Sequence, residues 1–185
     1  MNKTSLLLAL SVALCAGSAF SHNIQLNSNL PAVSVQQDGE LLVKNNDIVY
    51  QNWQSSALAG KVRVLQHMAG RSSVKEKNEA LIEAIKAAHF SPARYQTTTI
   101  INADDAVFGT GSFVKSSAEK GKKANAHSQV ILDQQSAVKN AWQLKEKESL
   151  IVVLDKNGKV QFVQEGKLSA EQIQQVIDLV KKLTN

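Results

Sequence analysis

The sequence predicts an α/β domain in which a mixed β-sheet is covered by helices. Short apolar segments with the periodicity of strands alternate with amphipathic segments of helical periodicity, and the chain closes with a hairpin and a terminal helix. The 185 residues contain 9 glycines and only 2 prolines, which argues against disorder or a long linker. We therefore expect one folded domain with its own core.

The first 21 residues have the pattern of a secretory signal peptide. Lys3 gives a positive start, residues 5–16 are almost wholly apolar, and residues 19–21 fit small-x-small cleavage. The apolar run is about a dozen residues, shorter than the ~20 of a transmembrane helix. We therefore predict a signal peptide over residues 1–21, a single domain over residues 22–185, and no membrane insertion after the signal is removed.

The N-terminal part of the domain is predicted to be β-structure. Alternating apolar residues are interrupted by Asp, Asn and Gly, which favour turns. The predicted strands are residues 32–36, 41–44 and 48–53, with turns at 38–39 and 45–47. After a short connector, residues 61–67 predict a further strand.

A helix is predicted over residues 74–88. Ser73 and Glu76 have the spacing of a capping box, in which the hydroxyl and the carboxylate each satisfy a free backbone N–H. Pro92 prevents the helix from continuing. Residues 95–101 are rich in threonine and isoleucine and predict the next strand.

Residues 103–127 are polar and dotted with glycine, and we expect an insertion with little regular structure. The basic run at residues 115–123 alternates with Ser, Ala and Gly, which indicates a solvated loop. Asp104 and Asp105 suggest a metal site, and the nearby Gly-Thr-Gly at residues 109–111 suggests a phosphate site. Adjacent carboxylates point apart on a strand, however, and a lone Gly-x-Gly is a very weak signal. We interpret both as parts of a polar loop.

The C-terminal half predicts a strand, a short helix, a hairpin and a last helix. Asn157 and Gly158 indicate a tight turn between two apolar strands. Ser169 and Gln172 form a second capping box before a helix that runs to the end of the chain. The predicted elements are strands over residues 130–133, 150–154 and 160–164, and a helix over residues 137–144.

The single cysteine, Cys15, lies in the predicted signal peptide, so the exported protein has no thiol. Thiol–disulfide exchange needs a thiolate nucleophile, and so does a peroxidatic cysteine. An oxidoreductase activity would require a thiol or a metal supplied by another molecule. We expect no cofactor.

Other common chemistries find little support in the sequence. The histidines are widely spaced and have no cysteine ligands beside them, so we expect no metal site. There is no Gly-x-Ser-x-Gly elbow of a serine hydrolase. A formal net charge of +5 with 5% aromatic residues gives no basic face with stacking groups, so we expect no nucleic-acid partner. The four histidines are His22, His67, His89 and His127.

Residues 61–81, a strand running into a helix, resemble the segment of thioredoxin-like proteins that carries the redox cysteine pair. Residues 130–144 and 150–166 resemble the later strand–helix–strand and hairpin. On that pattern the two cysteine positions fall at Arg71 and Val74, and the position of the family's cis-proline falls at Ser149. Because a non-proline cis bond costs about 3–4 kcal/mol, we predict a trans bond before Ser149.

The whole chain is also similar to the YtfJ-type family of periplasmic proteins. The similarity is carried by GKVRVLQH, AGR, YQTTTI, DD, AWQL and VVLDK, at residues 60–67, 69–71, 95–100, 104–105, 141–144 and 152–156. This resemblance implies a thioredoxin-like mixed central sheet flanked by helices, with an N-terminal β extension and a polar insertion. It also implies a location in the Gram-negative periplasm.

The altered redox position suggests a binding site. The N-terminal end of a helix favours negative charge, and a guanidinium beside free N–H groups suits a carboxylate or another anion. We hypothesise that Arg71, Ser72 and Ser73, with His67 nearby, recognise an acidic group on a ligand or partner. In a simpler interpretation, Ser73 only caps the helix and Arg71 reaches into solvent or forms a structural salt bridge.

Two classes of function remain open. The protein is either a non-catalytic binding or scaffolding module with a periplasmic protein or peptide partner, or an enzyme of unrecognised chemistry that uses Arg71, His67 or residues 103–127. An ordered insertion that closes over Arg71 would favour the enzyme. A mobile insertion beside an open groove would favour the binding module.

Overall fold

The computed structural model describes residues 22–185, so the predicted signal peptide lies outside the described residues. The strands are β1 (Ser34–Lys44), β2 (Asp47–Gln54), β3 (Val62–Ala69), β4 (Tyr95–Asn102), β5 (Gln129–Asp133), β6 (Ser149–Leu154) and β7 (Val160–Glu165). The helices are α1 (Ser72–Ala88), α2 (Gly111–Ala124), α3 (Ala137–Trp142) and α4 (Ala170–Thr184), with a short 3-10 helix at Ser55–Leu58.

The strands form one seven-stranded sheet in the order β2-β1-β5-β4-β3-β6-β7. The central strands β5, β4 and β3 are parallel, whereas the remaining neighbours pair antiparallel. The carboxyl ends of the three parallel strands therefore lie at one edge of the sheet, where the connections to α1, α2 and α3 begin. This carboxyl edge holds the candidate site.

Alternation of side chains along the strands gives the sheet two apolar faces. On one face, Leu65 and Ile131 pack with Trp142 of α3. On the other face, Val64 packs with Leu81 of α1 and with residues of α4. The mixed, helix-covered sheet agrees with the fold class that the sequence predicts.

The N-terminal extension differs from the prediction in one detail, because residues 34–44 form a single strand. The residues predicted as a turn, Asp38 and Gly39, form a bulge in which both have positive φ, at 62° and 78°. The pairing of β1 with β2 shifts register between Val35 and Glu40. A Cβ at Gly39 would collide with the carbonyl oxygen of Gln51, so only glycine fits there.

The expectation of little regular structure over residues 103–127 is wrong, because α2 occupies the centre of this segment. Val114, Ala118 and Lys122 follow each other at i, i+4 spacing and turn toward β1 and β5. The Lys122 ammonium donates to the carbonyl oxygens of Ala126 and Ser128, at 2.9 and 2.5 Å. The buried face consists of small residues and a lysine stem, which a search for apolar periodicity does not detect.

The start of α1 also differs from the prediction. The helix begins at Ser72, Arg71 is the N-cap residue, and no side chain caps it. The predicted capping box at Ser73 is therefore wrong, because Ser73 already lies within the first turn. The second predicted box is confirmed, since Ser169 and Gln172 exchange both hydrogen bonds. The short helix α3 ends at Trp142, two residues earlier than predicted.

Two further observations concern the backbone of residues 22–185. No peptide bond in this range is cis, so the predicted trans bond before Ser149 is confirmed. None of the helices in the same range has the length and apolar content needed to cross a membrane.

Candidate functional site

The start of α1 lies close against the end of β4, and a glycine makes this approach possible. The Gly70 N–H donates to the carbonyl oxygen of Asn102 at 2.9 Å. A Cβ on Gly70 would lie 3.1 Å from that oxygen and 3.1 Å from a methyl group of Val114. A larger residue would therefore push α1 away from β4 and from the first turns of α2.

Arg71 fastens the loop that follows β4. Its Nε donates to the carbonyl oxygen of Asp105 at 2.8 Å, and Nη2 lies 3.4 Å from both the Asp105 carboxylate and the Ala106 carbonyl oxygen. The side chain is 23% exposed. The ordered loop thus closes over Arg71, and the guanidinium forms the structural salt bridge that the simpler interpretation expects.

Asp105 joins three segments of the carboxyl edge. One carboxylate oxygen faces Arg71, and the other accepts from the backbone N–H of Lys147 at 2.5 Å. Lys147 lies in the connection between α3 and β6. The sequence analysis named Asp105 only as part of a polar loop and did not predict this linking role, because its partners are 34 and 42 residues away along the chain.

Asp104 belongs to a second polar cluster that ties the ends of β4 and β5 together. The Ser136 hydroxyl donates to the Asp104 carboxylate at 2.7 Å and accepts from the Asn102 amide at 3.0 Å. Asp133 holds the turn beyond β5, since its carboxylate accepts from the backbone N–H groups of Gln135 and Val138. These contacts make the carboxyl edge a preorganised frame.

His67 lies beneath this frame rather than at its surface. Its residue is 2% exposed, and its Nε2 has no hydrogen-bond partner among the described residues. Burial lowers the pKa of His67 to about 4, while the charge of Asp105 opposes this shift and that of Lys139 adds to it. The imidazole is therefore neutral at pH 7, and the structure does not bring it to the surface beside Ser72 and Ser73.

The N-terminus of α1 is open to solvent. The N–H groups of Val74 and Lys75 donate to the Arg71 carbonyl oxygen, but those of Ser72 and Ser73 have no acceptor among the described residues. Both serines are exposed. The free N–H groups can donate to a carboxylate from outside, and the positive end of the helix dipole favours its negative charge.

Three large apolar side chains project into solvent beside this helix end. Phe108 is fully exposed, and Val107 and Phe113 are more than half exposed. We call these three residues the apolar tip. Because Arg71 holds the carbonyl oxygens of residues 105 and 106, the tip lies next to the start of α1. Two adjacent large apolar residues within a polar segment are the sequence signal that could have revealed this surface.

The described residues contain no cluster of side chains that could bind a metal ion. No three histidine, aspartate or glutamate side chains within residues 22–185 lie close enough together to hold one. The carboxylates of Asp104 and Asp105 are each directed toward separate protein donors.

Comparison with known proteins gives a family and a fold. Residues 24–183 match the family described as "Bacterial protein of unknown function (YtfJ_HI0045)". An uncharacterised protein of Haemophilus influenzae is 59% identical over 169 residues, which cover 91% of this chain and 92% of the relative. The uncharacterised protein YtfJ of Escherichia coli is 48% identical over 177 residues, which cover 96% of each chain.

Solved structures confirm the thioredoxin-like fold. A putative protein disulfide isomerase from Bacteroides thetaiotaomicron has a TM-score of 0.59 at 17% identity, covering 88% of this chain and 92% of that one. The thioredoxin domain of a thiol-disulfide oxidoreductase from Bacteroides vulgatus has a TM-score of 0.56 at 16% identity, covering 88% and 99%. At these identities the likeness concerns the fold alone.

Proposed function

The chain belongs to this family of bacterial proteins of unknown function, and we propose that it is a non-redox binding module of the periplasm. The proposal starts from a thioredoxin-like fold whose residues 22–185 contain no cysteine. Arg71 and Val74 stand where the resemblance places the redox pair, and neither side chain supplies a thiolate. A scaffold that keeps its fold without its nucleophile is suited to contact rather than to electron transfer.

The partner that fits the carboxyl edge is a polypeptide segment with a carboxylate next to large apolar side chains. The carboxylate would accept from the free N–H groups of Ser72 and Ser73. The apolar side chains would cover the apolar tip. Burial of exposed apolar surface gives about 25 cal/mol per Å², so a covered phenylalanine is a substantial part of such an interface.

One observation carries this proposal: Arg71 holds the apolar tip beside an uncapped helix N-terminus. Phe108 is fully exposed, although the loop that bears it is fixed by three contacts to the Arg71 guanidinium. A surface that is fixed before it meets its partner loses less conformational entropy on binding. The guanidinium therefore holds the binding surface in place, and Ser72 and Ser73 form the polar side of that surface.

One feature supports the alternative of an enzyme: the insertion is ordered and closes over Arg71. The same closure, however, makes the groups that such an enzyme would use inaccessible to a substrate. His67 is 2% exposed, and the guanidinium of Arg71 already donates to the loop. A general acid or base must come within hydrogen-bond reach of the group it serves. The geometry therefore supports binding better than catalysis.

The proposal is tested by photo-crosslinking in the living periplasm. A photoreactive residue is placed at Ser72 or at Phe108, with Gln174 on the exposed side of α4 as the control position. We expect a discrete protein adduct from Ser72 and Phe108 and none from Gln174. Equal adducts from all three positions, or no adduct from any, would contradict a specific partner at the carboxyl edge.

A matched substitution shows whether the apolar tip contributes. Phe108→Ser should reduce the Ser72 adduct at least tenfold, because the partner loses its apolar contact. The thermal midpoint of unfolding should stay unchanged, because Phe108 is fully exposed in the free protein. An adduct that persists at full yield in Phe108→Ser would mean that the partner contacts the helix N-terminus but not the apolar tip, and it would overturn the proposed surface.

A further inference from the structure

A second open region lies at the far edge of the sheet, between the N-terminal segment and β7. It is a groove of about 690 Å³, bounded by residues 22–26, by residues 161–163 of β7 and by Gln175 of α4. We call it the N-terminal groove. Its volume lies within the range of about 300–1,000 Å³ that is typical of binding sites.

The groove exists because the N-terminal segment pairs with β7 and then leaves it. The Asn27 N–H donates to the carbonyl oxygen of Val160 at 2.7 Å, and the Val160 N–H donates to Ser28 at 2.9 Å. Toward the N-terminus the chain turns to α3 instead, where Asn23 donates to the carbonyl oxygens of Trp142 and Ala141. The first pairing thus starts an eighth strand that does not continue.

Backbone groups of β7 face this gap. The strand is at the sheet edge, where its inner side pairs with β6 and its outer side is paired only at Val160, by residues 27 and 28, within the described chain. The Gly166 N–H donates to the carbonyl oxygen of Ser149, the first residue of β6, and so points inward. Because the direction of backbone groups alternates along an antiparallel strand, the N–H and C=O of Val163 point outward. Neither group has a backbone partner on that side within the described chain.

Apart from the imidazole of His22, the side chains around the gap are not ionisable. Ile24, Leu26 and Val163 give it apolar walls, and Leu26 is exposed although it is a large apolar residue. The carboxamides of Gln25 and Gln175 have no hydrogen-bond partner among the described residues. No lysine, arginine, aspartate or glutamate lines the groove within residues 22–185. A charged segment would lose much of its hydration there, and the described part of the groove offers no lysine, arginine or carboxylate side chain to replace it.

We propose that the N-terminal groove binds an extended, uncharged polypeptide segment, which adds as a strand beside β7 and continues the pairing begun by residues 27 and 28. Main-chain hydrogen bonds to Val163 give the segment its direction. Apolar side chains pack on Leu26 and Val163, and the free carboxamides receive its remaining backbone groups. This site is separate from the carboxyl edge and does not rest on the function proposed for that edge.

The test uses the exported protein, purified whole, and a fluorescein-labelled hexapeptide of sequence TVQVTV. We expect fluorescence anisotropy to show saturable binding, and hydrogen exchange of the Val163 amide to slow at least tenfold when the peptide is present. The matched probe carries N-methyl groups on alternate residues and cannot donate to the strand edge. We expect it to bind at least tenfold more weakly. Equal binding of the two peptides, or no binding at millimolar peptide, would overturn the proposal.

Two variants place the binding in the groove. Val163→Pro removes an outward N–H that has no partner, and proline is tolerated at such edge positions. Leu26→Glu puts a charge on an exposed wall and leaves the core untouched. Each should weaken binding at least tenfold, whereas Lys86→Met on the exposed side of α1 should leave it unchanged. If Leu26→Glu binds the peptide as well as the unaltered protein does, the segment lies elsewhere and the proposal fails.

Discussion

Two arginines at opposite ends of β3 show how differently one guanidinium can be used. Arg63 lies near the amino end of the strand and is 5% exposed, whereas Arg71 follows the carboxyl end and its side chain is 23% exposed. Arg63 donates only to neutral oxygens, but Arg71 also meets the carboxylate of Asp105. The first holds the interior of the sheet together, and the second holds a surface loop.

The surroundings of Arg63 explain how a cation is kept in the core. Its Nε donates to the carbonyl oxygen of Leu58 at 2.6 Å, and its Nη1 donates to side chains on β4 and β5. Burial lowers the pKa of Arg63, while the charge of Glu40 opposes that shift. Glu40 is linked to the cluster through the Gln129 amide, at 3.1 Å. A buried cation therefore needs a protein acceptor for each of its N–H donors, whereas some donors of a half-buried cation can bond to water instead.

Removal of the Arg63 guanidinium should have the largest effect. Arg63→Met keeps much of the stem volume but leaves several buried acceptors without a donor, and each such group costs about 1–3 kcal/mol. We expect the free energy of unfolding to fall by about 3 kcal/mol or more in urea titrations followed by tryptophan fluorescence. Lys61→Met is the control, because the Lys61 ammonium meets only the Pro92 carbonyl oxygen at the surface. A loss for Arg63→Met no greater than for Lys61→Met would show that the buried cluster is dispensable.

His67 should make stability depend on pH. Its imidazole binds a proton below pH 6.5 in the unfolded chain but only below about pH 4 in the folded protein. The unfolded state therefore holds more protons between these values, so stability falls as the pH drops from 6.5 to 4. A difference of this size corresponds to about 3 kcal/mol. Urea titrations at pH 7, 5.5 and 4 measure the loss.

The variant His67→Leu isolates the contribution of the imidazole from that of the carboxylates, which titrate in the same range. It should flatten the decline by about 3 kcal/mol relative to the unaltered protein, because leucine has no proton to gain. His89→Leu is the matched control, since His89 lies at the C-cap of α1 and is exposed. Parallel pH profiles for His67→Leu and the unaltered protein would mean that the buried imidazole does not titrate as its burial requires.

The sequence predicted the sheet and three of the helices because their apolar faces are continuous. The terminal helix, for example, carries Ile173, Val176 and Val180 at helical spacing and a complete capping box. The helix α2 escaped prediction because its buried face includes Ala118 and the stem of Lys122. Periodicity detects large apolar residues, and it fails where small or amphipathic side chains are sufficient.

The position of the candidate site along the chain could be predicted from the sequence, but the contacts between its residues could not. The residues Arg71, Ser72 and Ser73 lie where the resemblance to thioredoxin-like proteins places them, at the start of the helix that follows β3. The contacts of Arg71 depend on a loop 34 residues away, whose course is fixed by tertiary packing. Ser73 illustrates the local limit, because it has the spacing of a capping box but the helix begins at Ser72, two residues before the predicted start.

Removal of the Arg71 guanidinium should have a smaller and more local effect than that of Arg63. Arg71→Met loses the contacts to Asp105 and Ala106 at a partly solvated site, where hydrogen bonds to charged groups contribute about 1.5–3 kcal/mol at most. We expect a fall of about 1–2 kcal/mol in the free energy of unfolding. Hydrogen exchange should quicken at residues 105–110 but not in β3.

Lys86→Met provides the scale for this result, because the Lys86–Glu83 pair is fully on the surface and exposed pairs contribute about 0–1 kcal/mol. If Arg71→Met changes stability and loop exchange no more than Lys86→Met does, the guanidinium is not the fastener of the loop. The apolar tip would then be held by Asp105 and Lys147 alone, and Arg71 would be free for a ligand. A loss of about 1–2 kcal/mol, smaller than that of Arg63→Met, with faster exchange confined to residues 105–110, would instead confirm the contrast between the two ends of β3.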